Sequence, residues 1–66
     1  MYANLKAEMA RKNIEIPMLM RITGKSRAAV SNYLNGRGSF SVAEAIQIRD
    51  ELFPGLTIDY LFSREK

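Results

Sequence analysis

Cysteine and histidine are both missing from this sequence, and their absence excludes several kinds of site. Without cysteine the chain can form no disulfide and offers no thiolate to a metal ion. Without histidine it lacks the commonest general base and the commonest neutral metal ligand. Asp50 and Glu51 are neighbours in the sequence and do not share a helical face, so they do not form a catalytic carboxylate pair. We therefore expect a protein that is not an enzyme and that uses no cofactor or metal.

Long apolar runs are missing as well. No segment approaches the roughly 20 apolar residues of a membrane span. The first residues, MYANLKAEMARK, contain no apolar signal-peptide core. With only 66 residues, the chain is expected to form one domain over 1–66 that acts in the cytoplasm without a membrane partner.

Acidic residues are absent from one continuous part of the chain. Residues 16–43 contain four basic residues and no acidic residue, whereas residues 44–66 contain five acidic and three basic residues. A basic middle beside an acidic end gives the surface a field of two signs. This pattern favours a surface for a polyanion, although solvated charges placed by chance would give the same counts.

The apolar spacing is helical throughout and shows no sustained two-residue alternation, so we predict an all-α fold without a sheet. Capping and helix-stopping residues predict five helices. The expected spans are Asn4 to Asn13, Pro17 to Gly24, Ser26 to Asn35, Ser41 to a break at Phe53-Pro54-Gly55, and Thr57 to Phe62. The tail, residues 63–66, is expected to fray. On the fourth helix, one stripe is expected to form the inner face; it comprises Val42, Ala45, Ile46, Arg49 and Leu52 and is interrupted by Arg49.

The third helix is expected to have two chemically different faces. Val30 and Tyr33 fall on one side with Ala29, and the polar side comprises Arg27, Ala28, Ser31 and Asn32. Arginine matches O6 and N7 of guanine, asparagine matches N6 and N7 of adenine, and alanine can touch a thymine methyl. In an isolated helix, the same polar side would be interpreted as a solvated face.

Together these residues resemble the Cro and phage-repressor (XRE-type) helix-turn-helix family of bacterial and phage transcriptional regulators. The resemblance covers the chain from Leu5 to about Phe62. It is carried by Leu19, Thr23-Gly24, Ser26-Arg27, Val30-Ser31, Asn35-Gly36 and the ending Leu56-Thr-Ile-Asp-Tyr-Leu-Phe.

The resemblance implies a compact five-helix, lambda-repressor-like DNA-binding domain, with the helix-turn-helix over about residues 16–36. Helix three would lie in the major groove of an operator. The implied base contacts are Ser26, Arg27, Ala28, Ser31 and Asn32. The implied phosphate contacts are Lys25, Asn35, Gly36, Arg37 and Ser39. The implied function is sequence-specific binding of double-stranded DNA by a repressor or Cro-like protein.

Several positions depart from the family pattern. Ile16 occupies a position that often carries a phosphate-binding glutamine, and Met20 occupies one that is usually alanine. Lys25 stands where the turn is usually apolar, so its stem is expected to pack while its ammonium reaches outward. Met9 and Leu34 replace a common ion pair, and we predict that these two side chains contact each other.

The last part of the sequence is rich in apolar and aromatic residues. Family members usually bind as two-fold dimers, so the resemblance favours a homodimer, at least on DNA. The expected dimer patch comprises Phe53, Leu56, Tyr60 and Phe62. The alternative function is a protein-interaction module, such as the antitoxin of a toxin–antitoxin pair, which would reuse the same fold.

Overall fold

Five α-helices account for most of residues 2–63, the part of the chain that the computed structural model describes. They are α1 (Ala3–Arg11), α2 (Ile16–Thr23), α3 (Arg27–Leu34), α4 (Val42–Leu52) and α5 (Ile58–Leu61). No strand occurs within these residues, so the all-α prediction is confirmed. None of the described helices is both long enough and apolar enough to cross a membrane. The predicted fraying of the tail falls mainly on residues 64–66, which lie outside the described part.

The predicted cap of α1 is wrong. The helix begins at Ala3, with Tyr2 in the capping position and no side-chain cap. Asn4 therefore lies inside the first turn, where its Nδ2 donates a 2.9 Å hydrogen bond to the carbonyl oxygen of Tyr60. This contact joins α1 to the carboxyl-terminal helix, which a local capping pattern cannot reveal.

The predicted stop of α1 at Asn13 is confirmed. Asn13 has a φ of +57°, in the left-handed region that asparagine tolerates. The N–H of Asn13 donates to the carbonyl of Ala10 at 3.3 Å, and the N–H of Ile14 donates to that of Met9 at 2.8 Å. This pair of bonds is a Schellman motif, which satisfies the last carbonyls of α1 and turns Ile14 back onto the core.

The core lies where the helices meet. Helix α2 packs against α3 and α4, and α5 packs against α1 and α4. The buried residues of this cluster are Tyr2, Leu5, Met9, Leu19, Val30, Leu34, Phe40, Ile48, Phe53 and Leu61. Met9 and Leu34 are both in it, which is the burial that their predicted contact requires.

The predicted inner face of α4 is partly wrong. Val42 is 77% exposed and Ile46 is 41% exposed, whereas Ile48, which was not expected inside, is fully buried. Ala45, Ile48 and Leu52 form the inner stripe, at spacings of three and four residues. The helix carries apolar residues on more than one side, so its sequence allows two stripes, and docking against α2 and α5 selects one.

Four aromatic rings connect the loop after α3 to both ends of the described chain. The ring of Phe40 lies 5.6 Å from that of Tyr2, 5.1 Å from that of Tyr33 and 5.9 Å from that of Phe62. Tyr2 and Phe62 are themselves 5.6 Å apart. The backbone N–H of Phe40 also donates to the hydroxyl of Tyr2 at 3.3 Å. These contacts fix the end of the loop that leads from α3 into α4.

Candidate nucleic-acid interface

The turn between α2 and α3 is set by Gly24 and Thr23. Gly24 has a φ of +73°, and its N–H donates to the carbonyl of Met20 at 2.8 Å. The Thr23 hydroxyl donates to the carbonyl of Leu19 at 2.7 Å and accepts from the N–H of Lys25 at 3.2 Å. The predicted helix stop at Gly24 is confirmed. A Cβ at this position would meet nothing within 4 Å, so the need for glycine there comes from the backbone angle.

Helix α3 has a buried and an exposed side, as its sequence predicts, although Ala29 and Tyr33 are only half-buried. Val30 and Leu34 are buried, which anchors one face in the core. Arg27, Ala28 and Asn32 are exposed on the other side, and Ser31 beside them is half-buried. Four of the five predicted base contacts therefore lie on or next to one outward face of α3.

Ser26, the fifth predicted base contact, caps α3. Its Oγ accepts a 3.2 Å hydrogen bond from the N–H of Ala29, as expected for a residue at this position. The residue is exposed, and its hydroxyl proton is the group that it can still offer to a ligand.

A Schellman motif also ends α3. Gly36, with a φ of +93°, donates its N–H to the carbonyl of Tyr33 at 3.1 Å. The N–H of Arg37 donates to the carbonyl of Asn32 at 2.7 Å, and that of Asn35 donates to the carbonyl of Ser31 at 3.1 Å. The backbone donors of residues 35–37 are thus all used inside the helix end. An anion here would meet the exposed side chains of Asn35 and Arg37, and the contribution of Gly36 is to turn the chain.

The loop beyond Arg37 is held against α3. Gly38 has a φ of +90°, and a Cβ built on it would lie 3.0 Å from Cε1 and 3.2 Å from Cδ1 of Tyr33. Ser39 follows and is exposed. The close approach of Gly38 to the Tyr33 ring brings Arg37 and Ser39 to the same end of α3.

Two exposed arginines flank this surface. Neither Arg27 nor Arg37 forms an ion pair with any residue of the described chain, and both are exposed. They lie at opposite ends of α3, which is eight residues long and therefore spans about 12 Å. The surface between them consists of small and polar side chains.

Lys25 differs from these arginines because it is paired. Its Nζ lies 3.6 Å from Oε2 of Glu44, a residue of α4. The other oxygen, Oε1, accepts a 2.9 Å hydrogen bond from the N–H of Ser41, and the Oγ of Ser41 accepts from the N–H of Glu44 at 3.1 Å. Ser41 was expected to begin α4, but the contact of Glu44 with Lys25 was missed because it joins residues that are far apart in the sequence.

Ile16, one of the departures from the family pattern, makes an apolar contact. Ile16 is half-buried and packs against the core cluster. Met20, on the same helix, packs there too. The amino-terminal end of α2 therefore adds bulk to the core and offers no polar side chain from position 16.

One residue of the predicted dimer patch does not lie at the surface. Phe53 is fully buried, so it belongs to the core and cannot contribute to a surface. Leu56 and Phe62 are half-buried and pack against the core. Tyr60 is 39% exposed, and its hydroxyl donates a 2.8 Å hydrogen bond to Oε2 of Glu8. This bond to Glu8, with partial desolvation, raises the pKa of Tyr60 above its ordinary value.

Glu8 was not singled out from the sequence, yet it is the one charged residue buried among residues 2–63. Arg11, one turn later on α1, places Nη1 3.5 Å from the same Oε2 that Tyr60 contacts. A buried carboxylate requires such partners. Glu8 thus joins α1 to α5, on contacts separate from the exposed face of α3.

Comparisons of the chain with protein-family models, with curated proteins and with solved structures gave no match.

Proposed function

We propose that this protein is a sequence-specific double-stranded DNA-binding regulator, with α2, the turn at Gly24 and α3 forming a helix-turn-helix. The proposal is supported chiefly by the exposed, polar face of α3, which has at each end an exposed arginine that forms no salt bridge with the described residues. No carboxylate occurs in the sequence from Ile16 through Ala43. The resemblance to Cro and phage-repressor proteins agrees with this assignment and implies that the protein represses transcription by occupying an operator.

In this proposal α3 lies in the major groove. Arg27 reads a guanine through two hydrogen bonds, and Asn32 reads an adenine in the same way. Ala28 lies one turn before Asn32, where its methyl group can contact a thymine methyl. Ser26 and Ser31 supply single hydrogen bonds beside them. Base reading by so short a helix requires that its axis be held firmly, which the buried Val30 and Leu34 provide.

Phosphates are bound at the two ends of α3. Arg37 is the main contact, because it is exposed and forms no salt bridge with residues 2–63. Asn35 and Ser39 flank it and donate from their side chains, while Lys25 lies at the other end of the helix. Each phosphate neutralised by a cation makes the plot of log K against log salt steeper by about 0.9.

Two substitutions test this division of roles. Asn32→Ala is expected to cost about 1–3 kcal/mol at one base pair, because the bidentate contact to adenine is lost. Arg37→Ala is expected to weaken binding to all duplex sequences about equally and to reduce the salt slope by about 0.9. Binding is measured by selection from randomised duplexes at two salt concentrations, followed by titration of the selected sites.

Lys6→Ala is the matched control for Arg37→Ala. It removes one positive charge from an exposed position on α1, outside the proposed surface. We expect it to leave both the selected sequence and the salt slope close to those of the original protein. An unchanged base preference after Asn32→Ala would contradict the proposed reading position, and absence of duplex binding by the original protein would reject the function.

We further propose that the protein binds its operator as a homodimer through the carboxyl-terminal end. The support is the exposed part of Tyr60 together with the half-buried Leu56 and Phe62. Two-fold dimers place their reading helices about one helical turn of DNA apart, so the operator is expected to be palindromic. Sedimentation of the free protein and of the protein on operator DNA tests this; a monomer in both samples would remove the dimer.

A further inference from the structure

We propose that Glu44 sets the electrostatic strength of the DNA-binding surface by holding and neutralising Lys25. Glu44 is a positioning residue in this role, because it acts on DNA through the lysine. The inference rests on the proposed function, and it refines that function by removing Lys25 from the set of full phosphate contacts.

The carboxylate of Glu44 is fixed from two sides. Oε1 accepts from the N–H of Ser41, while Oε2 faces Nζ of Lys25 at 3.6 Å. Only 14% of the Glu44 side chain is exposed, compared with 42% of the Lys25 side chain. The acid is therefore the rigid member of the pair, and the lysine is the member that can move.

Glu44 lies directly after residues 16–43, the segment that contains no acidic residue, and Lys25 lies within that segment. Lys25 belongs to the turn before α3, between Gly24 and the Ser26 cap. Glu44 is the first acidic residue after position 15, and it reaches back to that turn from the first turn of α4. A phosphate approaching Lys25 therefore competes with a carboxylate that is already in place.

An ion pair as exposed as this one is weak, so DNA can displace it. The cost of displacing Glu44 from Lys25 is the same for every DNA sequence, because a contact between Lys25 and a phosphate carries no base preference. Where Glu44 keeps Lys25, the lysine neutralises no phosphate, and no counterion is released from the DNA at that point. The wild-type salt slope should therefore include Arg37 but little from Lys25.

Glu44→Gln isolates the charge from the helix cap. Glutamine serves in a capping box as glutamate does, so its side chain can still accept from the N–H of Ser41. The substitution removes one negative charge and frees Lys25. We expect tighter binding to operator and random duplex alike, and a salt slope steeper by about 0.9. Over a fourfold rise in salt, the affinity advantage of the variant should shrink about threefold to fourfold.

Two controls separate this role from a general change in charge. Glu51→Gln makes the same chemical change at an exposed position near the other end of α4, and we expect little change in slope. Glu44→Gln is also introduced into a Lys25→Gln background, where we expect its effect on the slope to disappear. An equal effect with and without Lys25 would show direct repulsion of DNA and would overturn the inference.

The outcomes distinguish the inference from the function on which it rests. If the original protein binds no duplex DNA, both fail; if it binds DNA and Glu44→Gln leaves the slope unchanged, only the inference fails. Thermal unfolding establishes that the variant is folded. If Glu44→Gln does not fold, the salt slope of Lys25→Gln is compared with that of the original protein. A change well below 0.9 supports neutralisation of Lys25 by Glu44, and a change of about 0.9 overturns the inference.

Discussion

Replacing Gly38 by alanine should destabilise the protein for two reasons that can be measured separately. Gly38 has a φ of +90°, where an L side chain is strained, and the added Cβ would lie 3.0 Å from Cε1 of Tyr33. The backbone term is about 1–2 kcal/mol. Forcing the packed ring to move adds about 1 kcal/mol or more, because Tyr33 also lies 5.1 Å from the Phe40 ring. We expect a total loss of about 2–3 kcal/mol.

Gly24 and Gly55 provide matched controls. Gly24→Ala introduces the same kind of backbone strain, at a φ of +73°, but its Cβ would meet nothing within 4 Å. Its expected cost is about 1 kcal/mol. Gly55 has neither a positive φ nor a close neighbour, so Gly55→Ala should be neutral or stabilise by up to about 1 kcal/mol.

Urea and thermal unfolding followed by circular dichroism would measure the three variants. In a domain of this size, each kcal/mol corresponds to about 4–8 °C in melting temperature. The expected order of stability is Gly55→Ala, then Gly24→Ala, then Gly38→Ala. Equal losses for Gly24→Ala and Gly38→Ala would show that the ring contact contributes nothing. A Gly38 variant as stable as the Gly55 variant would contradict both the backbone strain and the ring contact.

Ile48→Val should cost about 0.5–1.5 kcal/mol, because Ile48 is fully buried, whereas Ile46→Val, two residues earlier, should have little effect. Equal losses of unfolding free energy in denaturant titrations would contradict the inner face that the structure shows for α4. The hydrogen bond to Glu8 raises the pKa of Tyr60 above 10.0, so the folded state keeps a proton that the unfolded state loses. The stability from this bond is therefore complete below about pH 10 and falls as the pH rises through the raised value. Unfolding at pH 8–11.5 should show the difference between the original protein and Tyr60→Phe shrinking above pH 10; a constant difference would contradict the linkage.

Local signals predicted the helix boundaries well because the groups concerned are neighbours in the chain. Asn13 stops α1, Gly24 stops α2, and Ser26 caps α3, each through bonds that span only a few residues. The two faces of α3 were predictable for the same reason. Asn4 is the exception, because its amide is used by a carbonyl of α5 and not by its own helix.

Contacts between distant residues could not be predicted in this way. The inner face of α4 depends on how that helix docks, and Phe53 is buried although its sequence context suits a surface patch. The Lys25–Glu44 pair joins two elements whose relative position the sequence does not encode locally. The exposed side of α3 could therefore be predicted from the sequence, whereas the carboxylate beside Lys25 could not.

The order of the loop that carries Arg37 depends on aromatic rings from both ends of the described chain. Tyr2 and Phe62 belong to the two ends of the described chain, and both rings touch that of Phe40 at the end of the loop that carries Arg37. Residues near the end of a domain stay ordered only where packing or hydrogen bonds hold them. Loss of either ring from its place would remove an aromatic neighbour from Phe40, so the order of this loop depends on both rings remaining packed.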